Sequence, residues 1–162
     1  MEQACSQNFK LGSRTLHYDC GKAMLLCRDS NSGKNIWIKK ISDISQIDTV
    51  IEDSSRYYIA CETDDIKGYY LAIDKETGST NWFIPGKAYF HIVYNKDLYI
   101  IFTDEKSDFY LLKVDCSDGK KIWHRRVDND LCEYSFSPEG ITLKFVSGKQ
   151  EKISALTGIA IQ

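Results

Sequence analysis

The stretch Ala72–Trp82, with the sequence AIDKETGSTNW, follows an apolar run, breaks at a Thr-Gly pair and then presents a tryptophan. The same pattern occurs at residues 29–37 (DSNSGKNIW) and 115–123 (DCSDGKKIW), and a decayed copy, SALTGIAIQ, occupies residues 154–162. The glycines of the four copies are 45, 41 and 39 residues apart: Gly33, Gly78, Gly119 and Gly158. A nearly fixed period of this length indicates a repeat architecture.

Each copy lies between strand-like runs, such as YYLAI before and NWFIP after the second copy, and two further runs separate successive copies. Strand-like runs recur with turn residues between them, and no long window has helical periodicity. We therefore predict an all-β chain, a small β-propeller of four blades with four antiparallel strands each. It is expected to be a single domain over residues 1–162, with repeats at approximately 5–40, 41–86, 87–127 and 128–162. YYLAI and DLYIIFT are apolar at consecutive positions, so we expect both faces of these strands to be covered.

The pattern Ala-x-Asp-x-x-Thr-Gly-x-x-x-Trp resembles the tryptophan-docking motif of the pyrroloquinoline-quinone-type β-propeller repeat. The second copy matches it in full, at Ala72, Asp74, Thr77, Gly78 and Trp82. The first and third copies keep the Asp, the Gly and the Trp (Trp37 and Trp123), whereas the fourth keeps only the Thr-Gly pair. With the intervening strands, the resemblance covers nearly the whole chain.

The motif is interpreted as architecture. Its Asp is expected to accept hydrogen bonds from backbone N–H groups of the following turn, and its Gly to supply a positive φ. Its Trp is expected to bury a large flat ring against the neighbouring blade. The motif therefore predicts fastening between blades, and function is sought elsewhere.

The resemblance implies a member of the family that binds no cofactor. Members that bind the quinone have about eight blades and many more residues, whereas many others are scaffolds that bind proteins. Four repeats leave two arrangements open: a single closed ring, which we favour, or half of an eight-bladed dimer. The expected state is thus a monomer or a homodimer.

One set of loops is predicted to be acidic. In a propeller, the loops between blades share a face with those between the second and third strands of each blade, and here nine acids stand against four lysines on that face. The acidic residues, our candidates for partner binding, are Asp43, Asp48, Asp64, Asp65, Asp104, Glu105, Asp108, Asp128 and Asp130. Such a face is suited to docking a basic protein.

Two alternatives to partner binding stay open for these loops. Surface loops are ordinarily solvated, and Asp is common in turns. Calcium is a further alternative, although no loop has the spaced acids and the Gly of an EF-hand. We expect neither a metal nor a cofactor.

No motif predicts catalysis. The sequence contains no Gly-rich phosphate loop, HExxH or GxSxG. His91 falls in an inner strand, where a core histidine is expected, and His124 lies in the run HRR on an outer strand, which charge would keep soluble. We expect no enzymatic activity.

Composition and charge limit the partners and the cellular location that we expect for the protein. The 162 residues carry a net charge of −2 and include neither a strongly basic region nor about 20 consecutive apolar residues. We therefore expect no direct binding to nucleic acid or membrane. The N-terminus has no signal-peptide pattern, so the expected location is cytoplasmic, and in that compartment the six cysteines are expected to be free thiols.

Three functions follow as hypotheses. The first is a protein-binding module, in its sharpest form an immunity or inhibitor protein that neutralises a basic toxin through the acidic loops. The second is a ligand-binding or enzymatic propeller with a pocket on the blade axis. The third is a structural scaffold or adaptor.

Overall fold

The computed structural model describes residues 5–104 and 106–161. These residues form fifteen β-strands and no helix. The strands are arranged in four antiparallel sheets, which confirms the predicted all-β fold of small propeller blades. Two compact units divide the chain between Ala88 and Tyr89, and each is described by itself.

The first unit contains two four-stranded sheets, each a meander in which consecutive strands are neighbours. Blade 1 consists of β1 (Ser6–Leu11), β2 (Arg14–Asp19), β3 (Met24–Asp29) and β4 (Asn35–Lys40). Blade 2 consists of β5 (Gln46–Glu52), β6 (Arg56–Glu62), β7 (Gly68–Asp74) and β8 (Thr80–Pro85). Each docking motif forms the turn between the third and fourth strands of its blade.

The second unit contains the two remaining sheets, and the division between units falls within the first strand of blade 3. Blade 3 consists of β9 (Lys87–Tyr94), β10 (Asp97–Thr103), β11 (Phe109–Val114) and β12 (Lys121–Val127). Blade 4 consists of β13 (Leu131–Ser137), β14 (Gly140–Phe145) and β15 (Gln150–Ile153).

Blade 4 differs from the prediction of four strands in every blade. Within the described residues its outer strand is reduced to one bridge, between Ile153 and Ala160, and one further hydrogen bond from the Ile161 amide to the Lys152 carbonyl. The other outer strands have six or seven residues. Within the described residues the fourth motif thus keeps its turn, and only Ala160 and Ile161 pair with β15 after it.

Burial follows the apolar runs of the sequence. β6 and β10 are buried at consecutive positions, as expected for strands covered on both faces. In the first unit, Leu16 and Trp37 of blade 1 share a core with Ile59 of blade 2. In the second unit, Trp123 of blade 3 shares a core with Leu143 of blade 4.

The two faces of β2 in blade 1 differ in burial. Leu16 and Tyr18 of β2 are buried, whereas the alternate positions Thr15 and His17 are half-buried. Strand registers place Thr15 and His17 at the positions that blade 2 fills with Tyr57 and Ile59, because Arg14 pairs with Asp29 as Arg56 pairs with Asp74. Polar side chains therefore replace apolar ones at these two positions of blade 1.

Candidate functional site

In the first unit, the loop after β6 is held by its own acid. Asp64 Oδ1 accepts hydrogen bonds from the amides of Ile66 and Lys67, at 2.9 and 2.7 Å. These bonds favour the charged form of the carboxyl and lower its pKa. Asp65 follows in the same exposed loop, and its carbonyl accepts the Lys87 ammonium at 2.8 Å. The loop is therefore preorganised, with both aspartates at the surface.

Two more of the predicted acids lie at the same end of blade 2. Asp43 is exposed in the linker after β4, with a φ of 63°. Asp48 is exposed at a bulge near the start of β5, where partial desolvation and, after it, the Glu62 carboxylate raise its pKa. Ser45 in the linker donates its amide to the Glu62 carbonyl at the end of β6, which ties the linker to this end of the sheet.

In the second unit, the loop after β10 repeats this arrangement. Asp104 Oδ1 accepts the amides of Lys106 and Asp108, at 2.9 and 3.1 Å. Asp108 in turn pairs with Arg126 at 3.0 Å. Glu105, also predicted to bind the partner, lies outside the described residues.

Asp108, Asp128 and Asp130 line one surface cavity of about 460 Å³. Asp128 pairs with Lys149 at 3.3 Å, and Asp130 Oδ2 accepts the Ser147 amide at 3.0 Å. The structure therefore brings these three predicted acids together, with basic partners beside two of them.

The sequence analysis counted only charges in loops and therefore missed two charged residues at the ends of neighbouring strands. Arg126 lies in β12 and Glu62 in β6, yet both reach the acidic loops from the ends of their strands. Glu62 also pairs with Lys87 at 3.4 Å. Lys87 is thus the cation beside the loop of the first unit, as Arg126 is in the second. Strand register, read together with loop position, is the signal that finds both Arg126 and Glu62.

The docking motif of blade 2 forms a seat for the tryptophan of blade 1. Asp74 Oδ1 accepts the amides of Glu76 and Thr77, both at 2.9 Å, and these bonds lower its pKa. Gly78 has a φ of 74° and lies under Trp37, whose Nε1 donates to the Lys75 carbonyl at 2.8 Å. A Cβ on Gly78 would lie 2.6 Å from the indole.

Blade 4 forms the same seat for blade 3. Trp123 Nε1 donates to the Ala155 carbonyl at 3.0 Å, and its ring covers Gly158. A cation adds a second hydrogen bond to each seat carbonyl, because Lys113 donates to Ala155 O at 2.9 Å and Arg14 to Lys75 O at 2.8 Å.

The remaining motif residues complete the predicted set. Trp82 is buried and packs on Tyr58 and Tyr70, with ring centroids 6.0 Å away in each case. Gly119 and Gly33 have the left-handed φ of the other motif glycines, at 75° and 71°. Gly33, unlike Gly78 and Gly158, is exposed.

A second cavity, of about 600 Å³, lies at the docking-motif end of the second unit. Asp97 lines it at the position that Arg14 occupies in blade 1, since each is the first residue of its blade's second strand. Lys113 is buried and pairs with Asp97 at 3.4 Å. Its ammonium donates to the Ala155 carbonyl, as Arg14 donates to the Lys75 carbonyl. The cavity therefore opens where a short carboxylate replaces a long guanidinium.

The histidine and cysteine predictions had different outcomes. His91 is buried, and burial lowers its pKa to about 4. The expectation of free thiols was wrong for Cys5 and Cys20, which form a disulfide; they flank the paired ends of β1 and β2, with Cα atoms 5.6 Å apart. Cys27 and Cys61 are buried thiols, and burial raises both pKa values.

Among residues 5–104 and 106–161, no group of three or more His, Cys, Asp or Glu side chains is placed to hold a metal ion. The same residues include no helix that is long and apolar enough to cross a membrane.

Comparison with known proteins identifies the class of fold. BamB from Moraxella catarrhalis matches 90% of this chain with a TM-score of 0.62 and 14% identity. The quinohemoprotein alcohol dehydrogenase ADHIIG from Pseudomonas putida HK5 matches 96%, with a TM-score of 0.67 and 12% identity. The computationally designed protein Ika8 matches 96%, with a TM-score of 0.63 and 10% identity.

These likenesses show that the chain has the β-propeller fold of BamB and the quinoprotein dehydrogenases, as the tryptophan-docking motif predicts. The match spans 48% of BamB, 47% of Ika8 and 33% of the dehydrogenase. No protein-family profile matches the chain, and a search of curated protein sequences finds no match.

Proposed function

We propose that this chain is a non-enzymatic, protein-binding β-propeller that docks a basic protein through its acidic loops. In the sharpest form of the proposal the partner is a toxin, and the chain is a cytoplasmic immunity protein that neutralises it. On this proposal the chain works without a cofactor and binds neither membrane nor nucleic acid directly.

The observation that supports the proposal is the preorganised acidic end of blade 2. Asp64 fixes its own loop through two backbone hydrogen bonds, so the loop loses little conformational freedom when a partner binds. Asp43, Asp48 and Asp65 are exposed on the same unit, where a basic surface would meet them. Complementary charge of this kind speeds association and selects among partners.

A toxin is the favoured partner because an inhibitor has to bind its target fast and tightly. Charge attraction between the acidic loops and a basic toxin would speed that association. A rigid scaffold with charged loops meets both needs, since loops on a fixed frame hold binding groups in place. BamB and the alcohol dehydrogenase share this fold, and a shared fold does not by itself imply a shared activity.

Charge removal with the loops intact tests the proposal. The partner would be captured from the native host with the tagged chain, and its affinity would be compared with that of a variant carrying Asp43→Asn, Asp48→Asn, Asp64→Asn and Asp65→Asn. Asn accepts the same turn hydrogen bonds as Asp and tolerates the left-handed φ of residue 43. We expect the association rate to fall by about tenfold or more.

A control for net charge uses the opposite end of the blades. Asp118→Asn and Glu139→Gln each remove one exposed negative charge from docking-motif or hairpin turns. These variants are expected to bind the partner as the wild type does. An equal loss per removed charge in both sets would assign the effect to net charge, and no loss in the loop variant would refute docking through the acidic loops.

A further inference from the structure

A further cavity, of about 540 Å³, lies in the first unit between the facing sides of blades 1 and 2. Blade 1 lines it with the end of β4 and the linker that follows, and blade 2 lines it with β7 and β8. Trp37 of β4 and Leu71 of β7 belong to one core, so these two faces are packed on each other. The shape of the cavity is therefore set by the packing of two blades within one unit.

The wall that blade 2 contributes is largely apolar. Leu71 is buried at the base of this wall, and Tyr69 beside it is half-buried. Phe83 pairs with Leu71 across the strands and leaves 63% of its surface exposed. Pockets for small molecules, of about 300–1,000 Å³, are mostly apolar with a few polar groups that fix the ligand. The rings of Tyr69 and Phe83 are therefore suited to the flat apolar body of a ligand.

Lys39 brings a positive charge to this apolar wall. It comes two residues after Trp37 in β4, so both side chains are on the side of the strand that faces blade 2. Lys39 is half-buried, and this burial lowers the pKa of its ammonium. Among residues 5–104 and 106–161, it takes part in no ion pair. The cavity thus contains a partly desolvated cation that lacks a counter-charge.

The cation at the same place in the second unit has its counter-charge within the fold. Arg125 follows the docked Trp123 by two residues, as Lys39 follows Trp37. Its guanidinium pairs with Glu151 of blade 4 at 3.4 Å. The joint between blades 3 and 4 therefore contains its own carboxylate at this position.

In the first unit, a leucine replaces that glutamate. Leu71 precedes the motif Asp74 by three residues, as Glu151 precedes Ser154. Each lies in the third strand of its blade, opposite an apolar residue of the second strand. The joint between blades 1 and 2 thus keeps the cation and lacks the carboxylate, and the cavity provides space beside both Lys39 and Leu71.

The other charges of the cavity leave it positive. Lys40 and Asp43 are exposed and also line it, so two lysines stand against one aspartate and the lining has a net charge of +1. An anionic group is the electrostatic complement of such a lining.

From these observations we infer that the cavity binds a small aromatic carboxylate. The carboxylate of the ligand accepts hydrogen bonds from the Lys39 ammonium, as Glu151 does from Arg125 in the second unit. Its ring packs on Tyr69 and Phe83. This small-molecule site shares only Asp43 with the acidic loops, and it does not depend on a protein partner.

The test follows binding of 3-phenylpropionate to the full-length protein by NMR, with 3-phenylpropanamide as the uncharged analogue. We expect saturable chemical-shift changes at Lys39, Tyr69 and Phe83. The affinity is expected to be about tenfold or more higher for the acid than for the amide, because hydrogen bonds between charged groups are the stronger ones. Propionate, which keeps the carboxylate and lacks the ring, is expected to bind about tenfold or more weakly than the aromatic acid.

Three protein variants separate the contributions of charge and ring. Lys39→Met removes the charge at similar side-chain length, so the preference for the acid over the amide is expected to vanish. Phe83→Ala is expected to weaken both aromatic ligands and to keep the preference for the acid. Lys34→Met removes an exposed lysine from the docking-motif turn of the same blade and is expected to change neither affinity.

The comparison of acid and amide in the wild type decides the inference without any variant. Equal binding of the two, or no saturable change at Lys39, Tyr69 and Phe83 with the acid, would overturn it. An unchanged preference for the acid in a folded Lys39→Met variant would overturn it as well.

Discussion

Trp37 of blade 1 covers Gly78 of blade 2, so that a Cβ on residue 78 would lie 2.6 Å from the indole ring. The same glycine also has a φ of 74°, which L side chains rarely adopt. One residue therefore serves both the turn of its own blade and the packing of the blade before it. Within each unit, two copies of the motif thus form one joint, in which one copy supplies the Trp and the next supplies the Gly.

Replacing Gly78 with Asn should destabilise the fold far more than replacing Gly33 with Asn. Asn tolerates a left-handed φ, so the comparison isolates the contact with Trp37. Overpacking of a filled site costs about 1–3 kcal/mol, whereas an open surface site costs under about 0.5 kcal/mol. Urea unfolding of the two variants measures the difference, and equal losses would show that the ring contact is unimportant.

The indole N–H of each docked tryptophan should contribute separately from its ring. Trp123→Phe keeps an aromatic ring on Gly158 but removes the donor to the Ala155 carbonyl, so we expect a loss of about 1–2 kcal/mol in the free energy of unfolding. Trp123→Ala removes both and should cost about 3–5 kcal/mol. Chemical denaturation of both variants checks the order, and an unchanged stability of Trp123→Phe would assign the whole effect to the ring.

Acid should destabilise the protein through His91. The pKa of this histidine is about 4 in the folded state and about 6.5 when exposed, so the unfolded state binds the extra proton between these values. The contribution of neutral His91 is therefore complete above pH 6.5 and is lost as pH falls toward 4, by about 3 kcal/mol in total.

His91→Gln provides the comparison for that pH effect, because acid-sensitive carboxylates such as Asp74 are common to both proteins. The difference in unfolding free energy between wild type and variant should change across pH 6.5 to 4 and stay constant above it. An NMR titration that placed the pKa of His91 near 6.5 would contradict the predicted effect.

The disulfide between Cys5 and Cys20 should be detectable by peptide mapping. Without reductant, proteolysis should give one linked peptide that contains both residues, and dithiothreitol should separate it. Cys27 serves as the internal control, since it should be alkylated in denaturant without reduction. Full alkylation of Cys5 and Cys20 before reduction would rule out the bond.

The fold was predictable because its signal is repeated. The Asp-to-Trp spacing recurs three times, so local ambiguity in any one strand matters little. The short outer strand of blade 4 was harder to predict from the sequence. Its length depends on how far the hydrogen-bond ladder continues beyond the pair of Ala160 and Ile153.

The candidate site was predictable only in part. Loop position identified Asp64 and Asp104, and the Asx-type turns that hold them follow from ordinary turn chemistry. Arg126 was missed because its charge reaches the loops from within a strand. How far a side chain reaches from the end of a strand depends on the strand register. The register cannot be read from the composition of the loops.

The salt dependence of partner binding tests the central claim most directly. Affinity for the captured partner would be measured from about 50 to 500 mM salt for the wild type and for the variant with Asp43, Asp48, Asp64 and Asp65 all changed to Asn. Salt screens exposed charges, so the account predicts a steep loss of wild-type affinity with salt and a much flatter dependence in the variant. Superimposable salt profiles would contradict docking through the acidic loops.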